Sequence, residues 1–206
     1  MTKKQPKKSD DSDDNFLDHD ELEMVSSDRH AWTFDQIIMV AEDIPRDDRI
    51  MVTATVPRYY HTVAIVRALA SDYDVSMNLV FQAALEHGVA MFEHTYSDLL
   101  TLLENLERTA ISNDTRDYFE HSVRVNFGRD DVGKYPVYCT PVTSAALTNM
   151  SGLLRSSKKD ISGAAILMSL LTDPNLDASS KTMLESKIRK IKLTLSLQKT
   201  VATNLI

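Results

Sequence analysis

Three side chains at alternate positions, Met51, Thr53 and Thr55, offer the contact chemistry most worth following in this chain. A threonine hydroxyl donates or accepts a hydrogen bond, and methionine and threonine methyls give apolar contact, a combination suited to base edges in a groove. Further on, Ser76 precedes an apolar helical pattern and is placed to cap it. Catalytic chemistry is harder to assemble. The six histidines show no metal-ligand spacing, and His87 and His94, seven positions apart, read as surface residues. Cys139 is the single cysteine, which excludes an internal disulfide and reads as a buried core thiol. Five glycines in the whole chain argue against a phosphate-cradling loop. The sequence therefore predicts a protein that is not an enzyme, with no cofactor and no metal.

The elements that position these residues are legible from periodicity. Ile50, Val52, Ala54 and Val56 alternate with Met51, Thr53 and Thr55, the period of a half-buried strand, and Pro57 ends the run. A strand of that length needs a partner, most simply from a second copy of itself. Past Pro57 the period lengthens to about 3.6: Tyr59, Val63, Val66, Leu69 and Ala70 share one helical face. A polar turn, Ser71 to Val75, leads to Ser76 and a second helix carrying Val80, Phe81, Ala84, Gly88 and Phe92.

Strand, proline, helix, short turn and Ser-capped helix is an order that resembles the ribbon-helix-helix family of DNA-binding proteins, the Arc and MetJ type, over residues 49–93. The resemblance implies a two-stranded antiparallel ribbon entering the major groove, with second-helix N-termini on flanking phosphates. It implies groove contacts from Met51, Thr53 and Thr55, phosphate contacts at Ser76, Met77 and Asn78, and charge from Arg49 and Arg58. Residues 135–171 repeat the element order, with a run ending at Pro141, a helical segment, a Lys-Lys-Asp turn and a Ser162-containing apolar helix. This is read as a possible degenerate second copy, which would let one chain supply both halves of a ribbon. A competing reading pairs Tyr135–Thr140 with the alternating run His121–Phe127 as an ordinary hairpin, since Pro136 interrupts the second strand.

The fold class expected is mainly α with a short β-ribbon: a ribbon-helix-helix-like unit plus additional helices. Residues 1–28 form an acidic leader expected to be disordered. Residues 29–48 carry a short helix around Trp32, Phe34, Ile37, Ile38 and Val40. Residues 49–110 hold the ribbon-helix-helix-like unit with an extended helix, residues 111–172 a second β-hairpin and helical unit, and residues 173–206 a basic amphipathic helix. In that last helix Lys187, Arg189, Lys190 and Lys192 are candidate DNA-backbone contacts.

Charge separates the leader from the body. Of the formal net charge of −7, residues 1–48 account for −8 and residues 49–206 for +1. Such a leader reads first as a solvated, solubilising segment; the regulatory alternative is that it competes with phosphate for a DNA surface or recruits a basic partner. The expected partners are duplex DNA and at least a second copy of the chain, with a protein partner through the leader or the Leu99 to Leu106 face. No apolar run reaches the roughly 20 residues of a spanning helix, so the reading is a cytoplasmic or nucleoid-associated protein, not a membrane protein. The alternative function is a helical protein–protein interaction or structural protein without nucleic-acid contact. The near-neutral charge of residues 49–93 favours that alternative.

Overall fold

The computed structural model describes residues 29–57, 59–113, 119–125, 132–189 and 191–197. The described chain is mainly helical. Its elements in order are α1 (Phe34–Asp43), β1 (Ile50–Pro57), α2 (Tyr59–Asp72), α3 (Met77–Thr95), α4 (Ser97–Asn113), β2 (Phe119–Val125), β3 (Val132–Cys139), α5 (Pro141–Leu153), α6 (Lys158–Leu170), α7 (Ala178–Ile188) and β4 (Ile191–Leu197).

β1 finds its partner within the chain. It pairs antiparallel with β3, setting Met51 opposite Tyr138, Thr53 opposite Pro136, Ala54 opposite Tyr135 and Thr55 opposite Lys134. Two expectations are thereby corrected: the partner strand is not drawn from a second copy, and Tyr135–Thr140 does not form a hairpin with the run beginning at His121. β2 pairs instead with β4, from Phe119 opposite Leu197 to Val125 opposite Ile191. Pro136 is tolerated in the ribbon because, among the described residues, β3 has a neighbour on one side only, and proline's missing N–H is harmless at such an edge.

Each ribbon strand is followed by two helices, and the second helices cross to the opposite strand. α3 packs on β3, α6 packs on β1, and α3 and α6 pack on each other at the centre of the core. Both are buried nearly all round, from Val80 to Val89 on α3, the polar Gln82, Glu86 and His87 included, and from Ile161 to Leu170 on α6. Small residues allow the close crossing. A Cβ on Gly88 would collide with the backbone of Ala165, and one on Gly163 with the carbonyl of Thr55. Phe34, Ile37, Ile38 and Ala41 of α1 close one side of this core.

The two strand–helix–helix stretches match in detail at an interval of 81 residues. Ser76 and Ser157 are the N-caps of α3 and α6, each accepting from a backbone N–H three positions on. Two residues before each cap lies a positive φ, 52° at Asp74 and 46° at Arg155, the two non-glycine cases among the described residues. Each preceding helix ends with the same bond: Val75 N–H donates to Ala70 C=O, and Ser156 N–H to Ser151 C=O. This is the six-to-one closure of a Schellman turn, with the left-handed residue just past the helix.

Several boundaries differ from the sequence reading. The cap of the second unit is Ser157, and Ser162 lies inside α6, donating its hydroxyl to Lys158 C=O. Pro141 opens α5 as its first residue, a favoured site for proline, and Thr140 is the cap. The basic C-terminal helix stops at Ile188, and Ile191–Leu197 is a strand. No described helix is long and apolar enough to cross a membrane.

Candidate nucleic-acid interface

The ribbon has one face on the core and one open. Val52, Ala54, Val56, Tyr135, Val137 and Cys139 turn inward, and Tyr135 stacks on Phe81 of α3 with ring centroids 4.0 Å apart. The opposite face presents Met51, Thr53, Lys134, Pro136 and Tyr138 to solvent, with Met51 62% and Tyr138 43% exposed. Thr55 shares the register of this face but is only 8% exposed, and Gly163 of α6 lies against its backbone carbonyl. Its expected role as a full groove contact is corrected accordingly.

At α3 the Ser76 hydroxyl accepts from Leu79 N–H at 3.2 Å. Asn78 accepts through Oδ1 from the Tyr135 hydroxyl at 2.7 Å, which ties the helix start to the ribbon. Beside this N-terminus opens a groove of about 930 Å³, bordered by Glu42, Asp43, Arg46, Asp74, Ser76 and Tyr138. Carboxylates thus flank the donors of Ser76, Met77 and Asn78. Arg49 also borders the groove, but its guanidinium is committed to the backbone, donating from Nε at 3.1 Å and Nη2 at 2.6 Å to Ile44 C=O. Arg58 lies outside the described residues.

The corresponding start of α6 has the opposite character. Ser157, Lys158 and Lys159 are exposed, and the one acid of that turn, Asp160, accepts from the Ser157 hydroxyl at 2.6 Å. Sequence reading passed over Lys134, Tyr138, Lys158 and Lys159 because the partner of β1 and the true cap of α6 were not identified. The signal available was the Ser-Lys-Lys-Asp run itself, whose serine three residues before an acid is a capping pattern.

The C-terminal cations divide. Lys187 is 8% exposed and packed within the fold, so it is unavailable for a DNA backbone, correcting that expectation. Arg189 is exposed and pairs with Glu185 at 3.4 Å. Lys192 sits in β4 opposite Arg124, and Lys190 lies outside the described residues. On α4, Leu103 is fully buried and Leu99 and Leu100 pack on the core, leaving Leu102 exposed. Much of the expected docking face is therefore already used internally. The acidic leader, 1–28, lies outside the described residues.

The remaining titratable groups are structural in their surroundings. His87 is 1% exposed, against the surface position expected for it, and its Nδ1 lies 3.0 Å from Ser169 Oγ. Burial lowers its pKa. His94 is exposed, and its ring stacks on His30 at 3.6 Å. Burial and the neighbouring Glu86 carboxylate push the Cys139 thiol up to about 12, the reverse of what a nucleophile requires. Glu86 accepts from the backbone N–H and hydroxyl of Thr140 and from the hydroxyl of Thr143, and it faces Arg29 at 3.5 Å. No cluster of three metal-ligating side chains occurs among the described residues. No protein-family model, curated protein or solved structure matches the chain.

Proposed function

We propose that the chain is a DNA-binding protein whose β1–α2–α3 and β3–α5–α6 segments are the two halves of one ribbon-helix-helix unit, a duplication contained in a single polypeptide. The observation that carries this reading is the 81-residue correspondence of caps, left-handed residues and helix-ending bonds, with the ribbon joining the two halves. At the same interval the outward positions Met51 and Thr53 correspond to Val132 and Lys134, which are also exposed. A two-stranded ribbon fits the major groove, where its outward side chains reach base edges. One chain then suffices for one ribbon, and a second copy serves to bind a second site. Regulation, partition and DNA architecture are all uses such a unit supports.

The alternative, a protein-contact module, is favoured by one observation: Glu42, Asp43 and Asp74 crowd the start of α3, where phosphate would sit. Titrating the full chain into a labelled pool of random duplexes at low and physiological salt separates the two. The DNA reading expects binding that weakens with salt, and loss of that binding in Met51→Glu with Thr53→Glu, which places two carboxylates on the open face. Absence of binding at low salt overturns it and turns the Met51–Tyr138 surface toward protein partners.

A further inference from the structure

The two halves of the ribbon are chemically unlike. In a ribbon built from two identical chains, the same side chains stand at both ends, and the bound site has equal half-sites. Here the register sets Met51 beside Tyr138 at one end and Pro57 beside Val132 at the other, with Thr53 beside Pro136 and Thr55 beside Lys134 between them. The half of the open face toward the first end therefore presents a thioether and an aromatic ring, and the other half an ammonium group beside the apolar Val132.

The helix starts reinforce this polarity. The start of α3 lies at the Met51–Tyr138 end, since its groove is bordered by Tyr138, and that groove holds Glu42, Asp43 and Asp74. Of the two arginines there, Arg49 is committed to Ile44 C=O, leaving Arg46 to face three carboxylates. α6 meets the ribbon in its other half, where Gly163 lies against Thr55, and its first residue, Lys158, is five positions earlier. At 1.5 Å per residue that is about 7.5 Å along the helix axis. Lys134 and the helix that begins with Lys158 and Lys159 thus belong to one half of the ribbon, and the carboxylates border the other.

We propose that the protein reads a non-palindromic duplex in one fixed orientation: Lys134 contacts a guanine edge, Lys158 and Lys159 hold the adjoining phosphates, and Met51 and Tyr138 cover thymine methyls in the opposite half. The chemistry follows the groove. Guanine O6 and N7 are the acceptors a lysine recognises, thymine C5 carries the apolar methyl, and carboxylates repel phosphate. The inference rests on the DNA-binding reading and specifies its ligand.

The test is selection of bound sequences from a randomised duplex library by the full chain, repeated with Lys134→Ala, Lys134→Arg and the pair Lys158→Ala with Lys159→Ala. Circular dichroism checks that each variant is folded, and all three positions are exposed. The expected site lacks two-fold symmetry and has a guanine on one side of its centre, with that preference falling about tenfold in Lys134→Ala and retained in Lys134→Arg. The α6 pair lowers affinity across all sequences without altering the selected site. A selected site with two equal half-sites overturns the fixed orientation while leaving DNA binding intact. An unchanged guanine preference in Lys134→Ala, or a uniform loss across sequences, overturns the base contact. Failure of the wild-type chain to enrich any sequence, with no binding to the unselected pool, overturns the DNA reading and this inference together.

Discussion

Removing the Glu86 carboxylate tests whether the α3 to α5 junction holds the ribbon's end in place. Oε1 accepts from the Thr140 backbone N–H, and Oε2 accepts from the Thr140 and Thr143 hydroxyls and faces Arg29 Nη1 at 3.5 Å. Thr140 is in turn the cap of α5 and directly follows β3, so one carboxylate on the central helix fixes the turn from strand to helix. Glu86→Ala leaves these donors without an acceptor in a buried setting. Breaking a buried charged network by removing one partner costs about 3–5 kcal/mol, a large share of the 5–15 kcal/mol typical of a folded domain. With a urea dependence near 2 kcal/mol per molar, the unfolding midpoint falls by roughly 1.5–2.5 M. Glu86→Gln keeps an acceptor for the Thr140 N–H but presents an amide to hydroxyls and a cation, so its loss is smaller, about 1–3 kcal/mol. Urea unfolding followed by circular dichroism measures both. A loss below about 1 kcal/mol for Glu86→Ala would refute the view that this carboxylate secures the junction.

Further expectations concern the crossing, the buried imidazole and the basic helix start. Gly88→Ala drives a methyl into the Ala165 backbone and is expected to cost at least about 1–3 kcal/mol by the same unfolding assay; a neutral result would mean that α3 and α6 are farther apart. His87 has a folded pKa below its unfolded value near 6.5, so below that pH the unfolded chain takes up a proton that the native state resists. Stability is thus expected to hold above about pH 6.5 and to fall with decreasing pH, by up to about 1.4 kcal/mol per unit from this group, and His87→Gln should flatten the profile. Lys158→Ala with Lys159→Ala is expected to reduce the slope of log affinity against log salt by about 2 in duplex titrations, and an unchanged slope would remove α6 from the phosphate contacts.

Much of the first half was legible because its signals are local. The Ile50 to Val56 alternation, the change of period after Pro57 and the Ser76 cap each need only a few neighbouring residues, and all three elements form as expected. The second half carries the same elements with weaker signals. Pro136 interrupts its strand, and the Lys-Lys-Asp run read as a turn is the first turn of α6 behind Ser157. Pairing of β1 with β3 joins residues about 80 positions apart, a choice made by tertiary packing. The same is true of Thr55, which local alternation places outward and the fold buries. At the C-terminal end, Met183, Leu184 and Ile188 have helical spacing and Ile191, Leu193, Leu195 and Leu197 alternate, and reading one period through both segments hid β4. Lys187 and His87 read as solvent-facing from residue type, yet both lie within the fold.

The central claim, that an open ribbon formed within one chain enters the major groove, is tested most directly by methylation interference on a selected duplex. Guanine N7 lies on the major-groove edge, and a methyl there obstructs a ribbon without altering base pairing or the minor groove. The account predicts that methylated guanines beneath Lys134 are depleted from the bound fraction, and that Lys134→Ala relieves the depletion. Equal recovery of methylated and unmethylated guanines throughout the bound site would contradict it.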